Sequence, residues 1–534
     1  LCMVDLVLKG GNIIDGTSSE SIVGNIVINN GSIISIDNDI QVEANTELNV
    51  TGKVVCPGFI DIHSHADFSL MADRRNEGAI RQGITTLVTG NCGHGPAPVN
   101  DIDLTKRNTV GFSESWNVNF SWNSFKEYLD ALVSPGISAN VAPLVPHGSV
   151  RLAVMGQSTA KPSTSELEEM KSLVQEAMSA GAIGFSTGLE YSPGMYADED
   201  ELIALAAVSA KHGGIYASHI RNRGELFEEA VEEALNICRK SGLPGQLSHL
   251  APRPYAEDGT FDRVLEMVSR AREDEGLSIG IDTFPDIWGP GMVVALLPPW
   301  VYEGERNEVL QRLAAPETLE KCHEHFSDPT NYLLRLGGLE KFYLSSSIVH
   351  PELIGKNFVE IGEAFGCDPV EGIFKLVLAD GKDFYNVMLR HIFAMPKDLD
   401  KLLMDPYCSI ESDGVVTATD GPLSNYTMNR SSFGYTIRFI EEYVINRKIF
   451  TLEEGIRKMT ALPADSAGLP NRGRIKPGKA ADIVILDKND LSDNSTNEEP
   501  NAYPSGVELV MVNGQVVLNN NVRTDILPGC LATQ

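Results

Sequence analysis

Two histidines, His63 and His65, stand at the end of an apolar, β-branched run that begins at Val54. Residues i and i+2 of a β-strand point to the same side, so a strand here would direct both imidazoles toward one point in space. Two convergent imidazoles are half of a metal site. A buried strand with merely hydrogen-bonded histidines explains this pair at least as well, so the interpretation depends on the rest of the chain.

Four further residues with metal-ligating side chains accompany other strand-like runs. Cys92 follows TTLVTGN, His219 lies in GIYASHI, His249 in PGQLSHL and Asp413 in CSIESDG. If these runs are strands of one parallel barrel, their carboxyl ends meet at the mouth, where active sites of such barrels lie. Six donors that reach one place from five strands are hard to explain by packing alone. The set can hold two divalent ions, and imidazole with thiolate favours zinc.

Cys92 and Asp413 each have a simpler interpretation when taken alone. A cysteine in Gly-Asn-Cys-Gly is a small buried apolar residue, and a lone aspartate is a common helix N-cap. At a barrel mouth, however, a Cys92 thiolate can bridge two zinc ions. Asp413 would there accept a proton from water activated by the metal and pass it to a leaving group.

Between about residues 58 and 465, strand-like segments alternate with helix-like ones, which is the pattern of a parallel α/β fold. With the first strand, nine candidates are present, one more than a TIM barrel contains, so one assignment is in excess. Three helical segments end at glycine, as C-capped helices do. The strand candidates are 54–62, 85–91, 137–146, 182–188, 214–220, 244–250, 278–285, 386–392 and 408–414.

Short alternating runs at both ends of the chain predict antiparallel strands, with Asn30-Gly31 and Asn513-Gly514 at hairpin turns. Neither end supplies enough strands for a stable sheet. We therefore predict one small β-sandwich built from residues 1–57 and 466–534, around a barrel of residues 58–465. A segment from about 286 to 350, rich in Pro and Trp, interrupts the alternation and predicts an insertion over the barrel mouth.

The overall charge disfavours several classes of partner. Lys and Arg number 43 against 73 Asp and Glu, a net charge of −30, so we expect a small-molecule substrate and no nucleic-acid or membrane partner. Eight dispersed cysteines indicate free thiols and a cytoplasmic location. No apolar run reaches the roughly 18 residues of a membrane span. The start at Leu1 leaves a trimmed leader open, and a homo-oligomer is compatible with the sequence.

Seven short motifs surround the candidate residues: IDIHSH (60–65), GNCG (90–93), PHGSVR (146–151), GFSTGLEY (184–191), SHIR (218–221), LSH (247–249) and SDG (412–414). Together they resemble the amidohydrolase superfamily, and within it the D-aminoacylase, or N-acyl-D-amino-acid deacylase, branch. The C-terminal run KMTALPADSAGLPNRGRIKPGKAADIVILD is similar to that branch too. The resemblance therefore covers nearly the whole chain.

The resemblance implies a TIM barrel, a β-sandwich from both termini, and zinc at the barrel mouth. The positions that match a tightly held zinc are Cys92, His219 and His249. The positions that match a second, weaker site are His63, His65 and Asp413, with Cys92 shared. Many other amidohydrolases bridge their metals with a carboxylated lysine, but AIGFSTGLEY contains none. Its absence fits the cysteine-bridged branch.

Two positions depart from the pattern of that branch. Similar D-aminoacylases carry a lysine two positions after the second metal histidine, and a His-Pro-Arg shortly after the catalytic aspartate, both thought to grip the substrate carboxylate. Ala251 and Asn429-Arg430-Ser431 stand there in this chain. Ala and Ser cannot make the paired contact of an arginine fork. The candidate substitute anchors are Arg221, Arg223, Arg253 and Arg430.

The main functional prediction is metal-assisted hydrolysis of the amide bond of an N-acyl-D-amino acid or a related N-acyl compound, with Asp413 as general base and acid. Tyr191 is a candidate to stabilise the oxyanion, and serves about equally well as a pocket wall. The altered carboxylate grip makes cleavage of a cyclic amide, a lactone or a C–C bond the alternative. A third hypothesis is a metal-free scaffold protein. It predicts that some of the six ligand positions carry residues that cannot bind metal, and all six carry metal-binding residues here.

Overall fold

The computed structural model describes residues 3–39, 42–302, 304, 306–328 and 331–533. Five strands come first: β1 (Val4–Ile13), β2 (Ile22–Asn29), β3 (Ser32–Asp37), β4 (Ala44–Asn49) and β5 (Val54–Pro57). Seven follow, each separated from the next by helix or loop: β6 (Phe59–Asp61), β7 (Ile84–Thr89), β8 (Asn140–Pro146), β9 (Gly184–Gly188), β10 (Ile215–His219), β11 (Gly245–Leu247) and β12 (Ile279–Thr283). The remaining strands are β13 (Trp288–Met292), β14 (Tyr343–Ser346), β15 (Met388–Ile392), β16 (Cys408–Ile410), β17 (Ile483–Leu486), β18 (Val507–Val512), β19 (Gln515–Asn519) and β20 (Val522–Arg523).

Strands β6 to β12 and β16 form an eight-stranded parallel barrel, in the order β6-β7-β8-β9-β10-β11-β12-β16. The chain segments that follow β6 and β16 close it: the amide of Asp413 donates to the carbonyl of His63 (3.1 Å), and that of His65 to Gly414 (2.7 Å). The longer barrel strands are buried along their whole length, as strands covered on both faces must be. The predicted TIM-barrel fold is confirmed.

Helices fill the connections between the barrel strands. Two of the three helices predicted to stop at glycine do so, at Gly181 and Gly242, both with the left-handed backbone that glycine adopts without strain. The third ends instead at Lys211. The main helices of the barrel region are Ile102–Asn108, Phe125–Val133, His147–Met155, Thr164–Ala180, Glu199–Ala210, Phe227–Ser241, Thr260–Glu273, Pro396–Met404, Ser431–Phe439, Leu452–Met459 and Ala461–Ser466.

The segment between β12 and β16 contains a separate unit with its own core. Strands β13, β14 and β15 pair antiparallel in a three-stranded sheet with β15 in the middle. Its apolar core extends from Val293 to Leu389. The candidate strand 386–392 is therefore the excess one, since β15 belongs to this sheet and not to the barrel. The insertion also continues well past residue 350, its predicted end. Its helices are Pro299–Tyr302, Arg306–Leu313, Pro316–Ser327, Tyr332–Arg335, Phe358–Phe365 and Pro369–Asp380.

Both ends of the chain build the remaining sheet. In it, β1 to β5 join β17 to β20, and the two halves meet where β17 pairs antiparallel with β5. A shared apolar core includes Leu8 and Ile28 from the first half and Ile483 and Leu509 from the second. Only Gly58 separates β5 from β6, so this sheet holds the first barrel strand in place.

The seven cysteines in the described ranges are free thiols, and six of them are at least partly buried. Cys2 lies outside those ranges. Among the residues that the structure describes, no helix is long and apolar enough to cross a membrane.

Candidate metal centre

The six predicted donors converge at the carboxyl end of the barrel. His219 is the last residue of β10, and the other five lie within four residues of the ends of β6, β7, β11 and β16. All six side chains are buried, with Asp413 and His219 retaining slight exposure. Parallel strands end at one rim of a barrel, so donors placed after them need only short loops to meet.

Cys92 is at the centre of the cluster. Its Sγ lies 3.2 Å from His63 Nε2, 3.7 Å from His219 Nδ1 and 3.7 Å from His249 Nε2. Asp413 Oδ1 lies 3.2 Å from His65 Nε2 and 3.6 Å from His63 Nε2. The donor groups compatible with one ion, each with its ligand atoms within 4.8 Å of one another, are His63, His65 and Cys92; Cys92, His219 and His249; and His63, His249 and Asp413.

Three of the six donors hold a backbone conformation that L-residues rarely adopt. Cys92, His249 and Asp413 have φ values of 54°, 34° and 42°. Each such residue costs on the order of 1–3 kcal/mol and persists only where its surroundings impose it. The cost falls on the residues that aim ligand atoms at the common centre, so this strain indicates a functional site.

The electrostatics of the cluster favour the thiolate of Cys92 and the carboxylate of Asp413. Burial raises the pKa of the Cys92 thiol, but the charge of His63 and hydrogen bonds from His219 and His249 outweigh it and hold this pKa well below the usual value. Burial also raises the pKa of Asp413, yet the hydrogen bond from His65 and the charges of His63 and His65 bring that pKa below its usual range. Burial lowers the pKa of His249 to about 4, which keeps this imidazole neutral. Thiolate, carboxylate and neutral imidazole are the forms that bind metal. Cys92, Asp413 and His249 are already in these forms. The neighbouring anions outweigh burial and raise the pKa values of His63, His65 and His219, which must release a proton to bind metal.

Two carboxylates, the partly buried Glu190 and the fully buried Asp282, contact candidate ligands, and neither was among the predicted site residues. Glu190 accepts a hydrogen bond of 2.8 Å from His219 Nε2, which leaves Nδ1 for the metal. Asp282 accepts from the backbone amide of His249 at 2.7 Å and lies 3.6 Å from His63 Nδ1. Both carboxylates lie at the carboxyl end of a predicted strand, and this position was the signal that could have revealed them.

Tyr191 borders the cluster, but its hydroxyl is engaged. It donates to the carbonyl of Cys92 at 3.0 Å, and its ring stacks on His94 with centroids 4.7 Å apart. The hydroxyl therefore supports the strained turn that carries Cys92. Its predicted role toward an oxyanion stays a prediction.

The four candidate arginines divide into two pairs. Arg221 makes a bidentate ion pair with Glu233 and donates to two backbone carbonyls, and Arg430 binds Asp286 at 2.6 Å. Arg223 and Arg253 instead lie beside the metal ligands, around Glu190. The geometry thus engages Arg221 and Arg430 elsewhere and leaves the other pair next to the cluster.

Known proteins are similar to this chain along most of its length. The model of a family described as "Amidohydrolase family" matches residues 46–282 and 398–518. An N-acyl-D-glutamate deacylase of Alcaligenes xylosoxydans xylosoxydans is 32% identical over 517 residues, which cover 96% of this chain and 93% of the relative. The gap in the family match falls across the insertion.

Two solved structures share the whole architecture. An N-acyl-D-glutamate deacylase from Bordetella bronchiseptica, complexed with zinc and a phosphonate inhibitor that mimics the tetrahedral intermediate, aligns over 100% of both chains with a TM-score of 0.83 and 28% identity. A D-aminoacylase studied for its binuclear metal centre, with one-metal activation and second-metal attenuation, aligns over 99% of this chain and 100% of its own, with a TM-score of 0.79 and 27% identity.

Proposed function

This chain belongs to the amidohydrolase family, and we propose that it is a zinc-dependent hydrolase that cleaves the amide bond of an N-acyl-D-amino acid or a related N-acyl compound. The deacylase relatives support the reaction and the substrate class. The observation that carries the proposal is the pair of overlapping donor sets that share Cys92 at the barrel mouth.

The donor atoms suit zinc in type and spacing. Tetrahedral zinc with a Zn–S bond of ~2.3 Å and Zn–N bonds of ~2.0–2.1 Å separates sulfur from nitrogen by about 3.6 Å. The separations from Cys92 Sγ to His219 Nδ1 and to His249 Nε2 are both 3.7 Å. We assign these three residues to the tighter zinc. The residues assigned to a second, weaker site are His63, His65 and Asp413, with Cys92 shared.

Bound zinc supplies Lewis acidity, which polarises a carbonyl and acidifies water. The chain supplies a base at the same place. The Asp413 carboxylate has a low pKa and a side chain that is 13% exposed, so it is ionised and still reached by water. We assign it the transfer of a proton from the attacking water to the departing amine nitrogen. Asn429 donates to the carbonyls of Ser412 and Asp413 at 3.1 Å and so holds the carboxylate in position.

Tyr191 has a structural role in the proposal. Its hydroxyl hydrogen is directed to the Cys92 carbonyl, so it would have to rotate away to meet an oxyanion. We therefore assign Tyr191 to the pocket wall and to support of the Cys92 turn in the resting enzyme. Oxyanion stabilisation is a further candidate role, which turnover by a Tyr191→Phe variant tests.

Zinc dependence tests the proposal directly. The purified protein should contain zinc, hydrolyse N-acetyl-D-amino acids, lose this activity on chelation and regain it on zinc addition. Cys92→Ser should remove most of the bound zinc, because this thiolate belongs to both donor sets. Cys238→Ser is the matched control, since Cys238 is a fully buried thiol on the Phe227–Ser241 helix. A zinc-loaded wild-type protein that hydrolyses no N-acyl-D-amino acid would contradict the proposed function.

The location and the assembly state are also proposals. The described free cysteines and the acidic charge support a cytoplasmic protein. A homo-oligomer would be revealed by a particle mass above 58.0 kDa in light scattering.

A further inference from the structure

Arg223 is a buried cation with unused hydrogen-bonding capacity. Its relative exposure is 4%, and its Nε has no hydrogen-bond partner among the residues that the structure describes. Nη1 donates to the carbonyl of His249 at 3.3 Å, and Nη2 lies 3.9 Å from Glu190, beyond hydrogen-bond distance. A guanidinium carries five N–H donors, so most of those on Arg223 are unsatisfied within the described part of the chain.

The neighbouring carboxylate cannot satisfy Arg223, because it already binds other groups. Glu190 accepts from His219 at 2.8 Å, and both of its oxygens accept from Arg253 at 2.8 Å. The backbone amide of Arg253 donates to the carbonyl of Arg223 at 2.8 Å, which fixes the two loops relative to each other. Glu190 therefore pairs with Arg253. Among the described residues, no carboxylate lies within hydrogen-bond distance of Arg223.

Arg223 also lies within reach of the metal ligands. The carbonyl that it binds belongs to His249. Its guanidinium stacks on the ring of Phe393 with 4.7 Å to the centroid, and that ring lies 6.2 Å from the His249 ring. Phe393 directly follows β15, so the insertion supplies one wall. Stacking occupies a face of the guanidinium and leaves its N–H edge for a ligand.

We propose that Arg223 binds a carboxylate of the substrate and so selects N-acyl compounds with an acidic group next to the scissile amide. The inference rests on the proposed function, which it deepens by naming the group that the substrate must carry. A planar carboxylate matches the fork of an arginine edge and can satisfy two of its N–H donors at once. Burial strengthens such a contact because little water competes for it.

The test compares acids with their amides. Binding of N-acetyl-D-alanine and of N-acetyl-D-alaninamide to the zinc-loaded protein is measured by calorimetry, and turnover of both is measured where it occurs. Wild-type protein should prefer the acid. Arg223→Gln should weaken acid binding, and raise KM for the acid, by about 10- to 100-fold, with little effect on the amide. Arg223→Lys should recover part of the preference, because it restores the charge without the fork.

Arg272→Gln is the matched control. Arg272 also stacks on an aromatic ring, with 4.5 Å to the Tyr407 centroid, donates to a backbone carbonyl and has a buried nitrogen without a partner among the described residues. Unlike Arg223, it is paired with a carboxylate, that of Asp405 at 2.8 Å. It binds the carbonyl of Ile279, at the opposite, amino-terminal end of β12. This variant should keep the acid preference.

The outcomes separate the two proposals. Zinc-loaded wild-type protein that binds the acid better than the amide but hydrolyses neither leaves the carboxylate site standing and counts against deacylation. Equal binding of acid and amide, or an acid preference that survives in Arg223→Gln, overturns the assignment of Arg223. Equal losses on both probes would show that Arg223 only supports His249, and would overturn it too.

A second pair of probes identifies which carboxylate binds. N-acetyl-D-glutamate and N-acetyl-D-glutamine both keep the α-carboxylate and differ in the side chain. If Arg223 binds the α-carboxylate, Arg223→Gln should weaken both equally. A loss confined to N-acetyl-D-glutamate would overturn the proposal, because Arg223 would then bind the side-chain carboxylate and not the group next to the scissile amide.

Discussion

Individual residues explain why this cluster suits hydrolysis. Cys92 takes part in two donor groups, so one thiolate can serve two ions. Asp413 contacts both His63 and His65 and is still reached by water. Both residues hold positive φ, so the protein gives up stability to aim them. The positions of Cys92 and Asp413 beside several histidines, more than their residue types, suit them to metal binding and proton transfer.

Replacement of Asp413 by Ala should lower kcat by roughly 10²- to 10⁴-fold, because the variant lacks the group assigned to proton transfer. The tighter zinc should remain, since Asp413 is not one of its ligands. The measurement is steady-state turnover of an N-acetyl-D-amino acid together with zinc content. Asp258→Asn is the control, because that side chain is 99% exposed in the loop after β11. Normal turnover by the Asp413 variant would remove this residue from the mechanism.

At the scale of elements, the insertion between β12 and β16 is the part that differs most from a plain barrel. Its core of buried side chains between Val293 and Leu389 is separate from the barrel core. The hydrophobic pattern did not distinguish β15 from the barrel strands, because a short apolar run has the same pattern in either sheet. Pairing with β13 and β14 decided its place, and pairing depends on residues far away in the chain.

The insertion should therefore be destabilised without loss of the metal centre. Leu344 is fully buried in the insertion core, and Leu344→Ala should cost about 2–5 kcal/mol of local stability. Hydrogen exchange should accelerate between residues 293 and 389, while zinc content and exchange in β6 to β12 stay unchanged. Leu334→Ala, at a side chain 46% exposed, serves as control. Faster exchange throughout the barrel would show that the two cores unfold together.

At the scale of the whole molecule, strand pairing and one backbone hydrogen bond join the two chain ends to the barrel strand that leads to the candidate metal centre. β17 pairs with β5, and the amide of Gly58 donates to the carbonyl of Asp482 at 2.8 Å. β6 begins at the next residue and leads to His63. The sheet at the termini therefore supports the loop that carries the candidate ligands His63 and His65.

Damage to that sheet should reach the metal centre. Ile483 is fully buried where the two halves meet, and Ile483→Ala should cost about 2–5 kcal/mol and lower the thermal transition by a few °C. Zinc release, followed with a chromogenic chelator, should shift with the unfolding transition seen by circular dichroism. Val522→Ala, at a side chain 67% exposed, should shift neither. Zinc release at an unchanged temperature would mean that the barrel holds its metal without the terminal sheet.

The sequence by itself determined the fold class and predicted that six candidate donors gather at one rim. Each donor follows a recognisable strand, and parallel strands of a closed barrel must end at one rim, so residues as distant as His63 and Asp413 were predicted to meet. The hairpin turns at both ends likewise predicted one small β-sandwich from two termini, because neither end can form a stable sheet alone.

Only the tertiary structure decided which arginine near the site is available and which carboxylates orient the ligands. Arg221 and Arg223 are two residues apart, yet one is held by Glu233 and the other lies unsatisfied beside His249. Glu190 and Asp282 act through single hydrogen bonds to His219 and His249. Side-chain directions in loops follow no sequence period, and the partners lie far apart in the chain, so they emerge only once the barrel closes and the insertion packs against it.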